Sequence, residues 1–206
     1  MSIDATQVAR TQPGLLARYD TRVLRPPAAA ATWSSTPSAV ACLGALRRWC
    51  LAGAVPRTTV TLAVACLQGE ASATQSVATQ LSLDLDGSLQ MQALGSAGRI
   101  ALRLKTKLHE LMPSRPRQPD DPWDAGTLIT SAEGLQALAS FRPRRPTLIV
   151  VDSGDVTPLN AMLATLQDGH AAYAWPVRVL VLGAVDVAAP SDAARWTHFD
   201  LGNRSG

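Results

Sequence analysis

Cysteine and histidine are both scarce in this chain, with three of each among 206 residues. Cys42, Cys50 and Cys66 are an odd number at unrelated spacings in apolar surroundings. That pattern excludes a disulfide framework and reads as buried thiols in a reducing compartment. His109, His170 and His198 stand far apart, and no pair has ligand spacing, so a zinc site is not expected. Long apolar runs are missing too: none approaches the ~18 residues of a membrane span. Met1–Asp20 lacks the basic-then-apolar pattern of a secretory leader, and a cytoplasmic location is expected. There is no Gly-x-Ser-x-Gly elbow and no ordered Ser, His and Asp set, which argues against a hydrolase.

Charge of one sign is not in excess either. The formal net charge is +3, too weak to imply nucleic acid as a partner. Arg142, Arg144 and Arg145 cluster beside two prolines, and Arg115 and Arg117 flank Pro116. Both groups read first as solvated loop charges. Trp33, Trp123, Trp175 and Trp196 fall in or near loops, where they either pack over sheet edges or anchor a partner. Trp49 falls on the apolar face of a predicted helix and reads as core.

What the chain does have is a regular exchange of strand and helix patterns. Residues 1–37, rich in Ala, Pro, Thr and Arg, read as an N-terminal arm or linker, and 38–206 as one domain. Ser38 is placed to cap a helix carrying Val40, Leu43, Leu46, Trp49 and Cys50 on one face. Thr58–Leu67 is β-branched and then wholly apolar, as a strand covered on both faces would be. A loop, Gly69–Ser76, leads to a helix over Val77–Leu83, and Asp86-Gly87 is expected to turn into a short strand. Residues 97–112 form an amphipathic helix pattern with Ile100, Leu104, Leu108 and Leu111 as its stripe. A short helix is expected over 131–140, a second buried strand over Pro146–Asp152, and a helix over Pro158–Gln167. A third strand follows over Pro176–Gly183, and Arg195–Leu201 alternates as a last one. The expected fold is α/β: a three-layer sandwich on a sheet of four or five mostly parallel strands.

In such a sheet, ligands sit at the carboxyl ends of the strands. Two of those ends carry candidate chemistry. The phosphate-binding consensus is Gly, four residues, Gly, Lys, then Ser or Thr. In Gly69-Glu70-Ala71-Ser72-Ala73-Thr74-Gln75-Ser76, Gly69 and Ser76 match, Thr74 replaces the second glycine, and Gln75 replaces the lysine. Gly69, Ser72, Thr74, Gln75 and Ser76 are thus the candidate nucleotide contacts. Glutamine donates a neutral hydrogen bond where lysine would bring charge, a loss of about 1.5–3 kcal/mol. The second end is Leu148–Asp152, an apolar strand closing on an acid. Asp152 would meet Mg²⁺ together with Ser76, but the next residue is Ser153 rather than an acid able to activate water.

In the order of these pieces the chain resembles the nucleotide-binding domain of the STAND class of P-loop NTPases. The likeness rests on LGALRRWC, TLAVACLQGEASATQSVATQL, DPWDAGTL, RRPTLIVVDSGD and PVRVLVLG, within residues 38–201. It implies a P-loop NTPase-like fold and, in intact members, ATP or GTP with Mg²⁺, a conformational switch and a signalling role. The departures at Gln75 and Ser153 imply a degenerate site without catalytic residues. Two functions are expected from this: a catalytically impaired domain serving protein interaction or regulation, or a nucleotide-binding switch with weak or no hydrolysis. A protein partner is expected and a membrane is not; a third reading is a regulatory or adaptor subunit that docks a larger machine through residues 1–37 and the basic loops.

Overall fold

The computed structural model describes residues 22–27, 33, 35–52, 61–94, 98, 121–152, 156–183 and 195–201. Among them are six strands and five α-helices. In chain order these are β1 (Leu24–Arg25), α1 (Pro37–Leu51), β2 (Leu62–Gln68), α2 (Ala71–Leu85), α3 (Ser88–Ala93) and β3 (Asp124–Leu128). There follow α4 (Ala132–Ala139), β4 (Thr147–Asp152), α5 (Val156–Gly169), β5 (Val177–Leu182) and β6 (Arg195–Asp200). One sheet holds all six strands in the order β1-β3-β4-β5-β2-β6. Every neighbouring pair is parallel except β1 with β3.

The apolar runs explain the three central strands. Consecutive side chains of a strand point to opposite faces, so a strand covered on both sides must be apolar throughout. Leu62, Val64 and Cys66 of β2 join Ile149, Val151, Val179 and Val181 on one face, under Leu159, Met162 and Leu166 of α5. Ala65 and Leu67 join Leu148, Val150, Leu180 and Leu182 on the other face, under α1 and α2. The result is the expected three-layer α/β sandwich. All three cysteines are free thiols within it.

Local chemistry sets the helix ends. Thr36 caps α1, its Oγ1 accepting from the Ala39 amide at 3.3 Å, with Pro37 at the first helical position. The cap therefore lies two residues before Ser38, because the proline fits the first turn and fixes the start. Ser131 caps α4 through the Gly134 amide at 3.2 Å. After α2 the expected short strand is instead α3. Gly87 turns the chain at φ +78, and the Asp86 carboxylate accepts from the Ser88 amide at 2.7 Å, which starts a helix.

Further expectations change. Residues 22–27 are not a free linker: Val23 and Leu24 are 0% and 1% exposed, and β1 pairs Leu24 with Leu128 and Arg25 with Thr127. Two apolar residues suffice here because an open edge of β3 and a ready core lie beside them. DPWDAGTL supplies β3, which raises the strand number to six. Arg145 is buried rather than solvated, its Nη1 4.0 Å from Asp124 Oδ1, while Arg142 and Arg144 are exposed. Trp123 is core at 2% exposure and Trp33 packs against the same cluster, so these two do not stand free as anchors, and Trp49 packs on that cluster as expected. The amphipathic pattern over 97–112, apart from position 98, and the segments 1–21 and 113–120 lie outside the described residues.

Candidate functional site

The sheet order locates the crevice where such folds bind ligands. From β2 the chain crosses β5 and β4 to reach β3, while from β5 it steps over β2 to reach β6. Neighbouring strands β2 and β5 thus send their onward connections in opposite directions, which opens a crevice at their carboxyl ends. Register brings the ends level: Leu182 pairs with both Leu67 and Asp152, and Gln68 pairs with Asp200. Around the crevice stand Gly69 and Glu70 after β2, Gly183 after β5, Asp152 at the end of β4, and Leu201 after β6. The switch point is therefore at the end that carries the candidate residues.

The connection itself is not a phosphate loop. Only Gly69 and Glu70 separate β2 from α2. A phosphate-binding loop needs a longer stretch whose free amides curl round the anion before the helix begins. Here Glu70 is the helix cap, and the Thr74 amide already donates to the Glu70 carbonyl at 2.9 Å. The expected loop 69–76 is corrected accordingly: six of its eight residues are helical. The physical reason is composition. ASATQS has neither the second glycine nor a proline to hold the chain open, and Ala and Gln favour continuing the helix.

Each candidate residue has a definite place. Gly69 adopts φ +147, and a Cβ there would lie 2.8 Å from the Leu201 Cβ. The Leu201 amide donates to the Gln68 carbonyl at 2.8 Å, and Gly183 donates to Leu67 at 3.0 Å. The side of the crevice next to β6 is filled by this close packing. The Ser72 hydroxyl donates to the Glu70 carboxylate, which holds a negative charge at the positive end of α2. Thr74 is 2% exposed and its Oγ1 donates to the Ala71 carbonyl at 3.0 Å. Gln75 is exposed on the helix surface, and Ser76 is half-buried. With 1.5 Å of rise per residue, Ser76 lies about 7.5 Å along α2 from Ala71, away from the strand ends. Asp152 is exposed at the end of β4. It stands two strand spacings, about 10 Å, from β2. The structure thus gathers Gly69, Ser72 and Asp152 on the carboxyl edge and draws Thr74, Gln75 and Ser76 into the body of α2. Ser153 lies outside the described residues, and no group of three or more His, Cys, Asp and Glu side chains among the described residues could hold a metal ion.

Sequence reasoning flags Glu70 as a negative charge beside any phosphate but misses Leu201, since nothing in the sequence marks it as a neighbour of Gly69.

Comparison with known proteins adds little. No protein-family model matches the chain, and no curated protein matches it. A solved structure, "Structure of C. elegans PCH-2", aligns with a TM-score of 0.27 at 10% identity over 81% of this chain. The chain spans 43% of that protein's length. No helix among the described residues is long and apolar enough to cross a membrane.

Proposed function

We propose that this chain is a degenerate P-loop-like domain of the STAND type whose phosphate corner has closed, and that it acts through protein contacts in signalling or assembly. The observation that carries this reading is the two-residue connection Gly69-Glu70 between β2 and α2. It leaves no backbone cradle for a triphosphate. The Glu70 carboxylate adds repulsion at the N-terminus of α2, and no lysine stands at position 75 to offset it. Asp152 remains exposed, but a lone carboxylate holds Mg²⁺ weakly without the phosphate oxygens that normally share the ion.

Thermal unfolding and calorimetric titration with millimolar ATP or GTP and Mg²⁺ test this directly. The expected result is no shift in Tm, no binding heat and no phosphate release. A shift that disappears in Ser76→Ala or Asp152→Ala would replace this reading with a nucleotide-binding switch.

A further inference from the structure

We infer that the outer edge of β3 is a strand-acceptor site, filled by residues 23–25 of the same chain and open to an extended segment of a partner protein when those residues lift out. This deepens the protein-contact reading and rests on it. Nucleotide titration bears on that reading alone, and the experiment below on this one.

Four features define the site. First, β1 is held far more lightly than any other strand. Its ladder has two residue pairs, whereas those of β3–β4, β4–β5, β2–β5 and β2–β6 have four to six. Segments with short ladders open first, well below the cost of global unfolding. Second, the acceptor is shaped for a close strand. A Cβ at position 126 would run into the Arg25 carbonyl oxygen, so Gly126 is the clearance that lets the incoming backbone approach.

Third, the anchors are fully buried. Val23 and Leu24 join the same core cluster as Leu128, Leu138 and Phe141. An occupant must therefore offer two consecutive apolar side chains, the first in a turn as Val23 is and the second entering the strand as Leu24 does, while the third residue can be charged, since Arg25 is exposed. Fourth, the segment is cut short. Pro26 and Pro27 follow at once and cannot donate to a ladder, so β1 cannot lengthen its hold on β3. A partner strand without those prolines would pair over more of β3 than the resident one does. Strand addition of this kind combines main-chain hydrogen bonds for affinity with side-chain slots for specificity.

The probe is a fluorescein-labelled peptide with the sequence of residues 20–29, titrated into the full chain and followed by anisotropy. In the double variant Val23→Asp, Leu24→Asp the resident strand no longer competes. The peptide should then bind roughly tenfold or more tightly than it binds wild type, because the open fraction sets the apparent affinity. Adding Gly126→Val should abolish that binding. A cooperatively folded double variant that ignores the peptide, or binding indifferent to Gly126→Val, would overturn the inference. Hydrogen exchange of the wild-type chain decides the matter if the double variant does not fold. The Ile129 amide, which donates to the Val23 carbonyl at 2.9 Å, should exchange at least about tenfold faster than the β4 and β5 amides. Equal protection would show that β1 does not open separately. A wild-type chain found as a dimer with exchanged β1 strands would assign the site to a second copy and overturn the partner assignment.

Discussion

Gly69 and Leu201 meet so closely that a Cβ at position 69 would lie 2.8 Å from the Leu201 Cβ. Gly69 also sits at φ +147, where an L side chain is strained. Gly69→Ala should therefore lower stability by about 1–3 kcal/mol, read from urea unfolding. Leu201→Gly removes the crowding Cβ, so the double variant should lose less than the sum of the two singles.

Placing a lysine at position 75 should not confer nucleotide binding. Gln75 is exposed in the second turn of α2. An ammonium group there projects from the helix surface rather than from a loop at the crevice. Gln75→Lys should melt at the same temperature with and without ATP and Mg²⁺. A nucleotide-dependent rise in Tm for this variant would mean that α2 unwinds at its first turn to rebuild a loop.

Arg178 joins a helix end to the sheet. It is 2% exposed, its Nη2 donates to the Ala52 carbonyl at 2.7 Å, and its guanidinium lies 6.0 Å from the Trp49 ring centre. Ala52 is the C-terminal cap of α1, so the cation satisfies a carbonyl at the negative end of that helix. Arg178→Ala should cost about 2–4 kcal/mol in chemical unfolding. Arg178→Lys should recover only part of it, since an ammonium lacks the planar fork that can donate to two carbonyls and stack on an indole.

Alkaline pH should destabilise the fold through its buried acids. Burial pushes the Cys50 thiol up to about 12, with Arg178 pulling it partly back, and pushes Cys66 up to about 11. Burial likewise raises Tyr173 to about 12, offset in part by Arg142. In each case the folded state favours the neutral form. The contribution is complete below the ordinary thiol value of 9.0 and drains away as pH rises toward the folded value. Each thiol removes about 1.4 kcal/mol per pH unit in that window. Unfolding free energies measured from pH 7 to 10.5 should fall above pH 9, and Cys50→Ala should fall less steeply.

The sequence made the fold legible where residues face core on both sides. LAVACL, TLIVVD and VRVLVL leave no polar face, so β2, β4 and β5 declared themselves. The buried face of α5 was equally clear from its spacing, whereas α1 buries Ala39, Cys42, Leu46 and Cys50 and leaves Val40, expected on its apolar stripe, 51% exposed. Elements whose stability is borrowed from neighbours were not legible. Leu24–Arg25 pairs only because β3 offers an edge, and Ser88–Ala93 is helical because Asp86 starts it. At the candidate site the departures of Gln75 and Ser153 from the phosphate-binding pattern could be read directly. The helical start at Ala71 could not, because a degenerate loop and a helix with a weak first turn share the same residues. Neither could Leu201, whose contact with Gly69 depends on β6 lying beside β2, far away in the chain.

The brevity of the β2–α2 connection bears on motion as well as on binding. A switch that reports a bound phosphate needs slack between strand and helix to take up a new geometry. With two residues there, one of them a strained glycine against Leu201, the connection has little such slack. This corner of the fold therefore offers no hinge between sheet and helix.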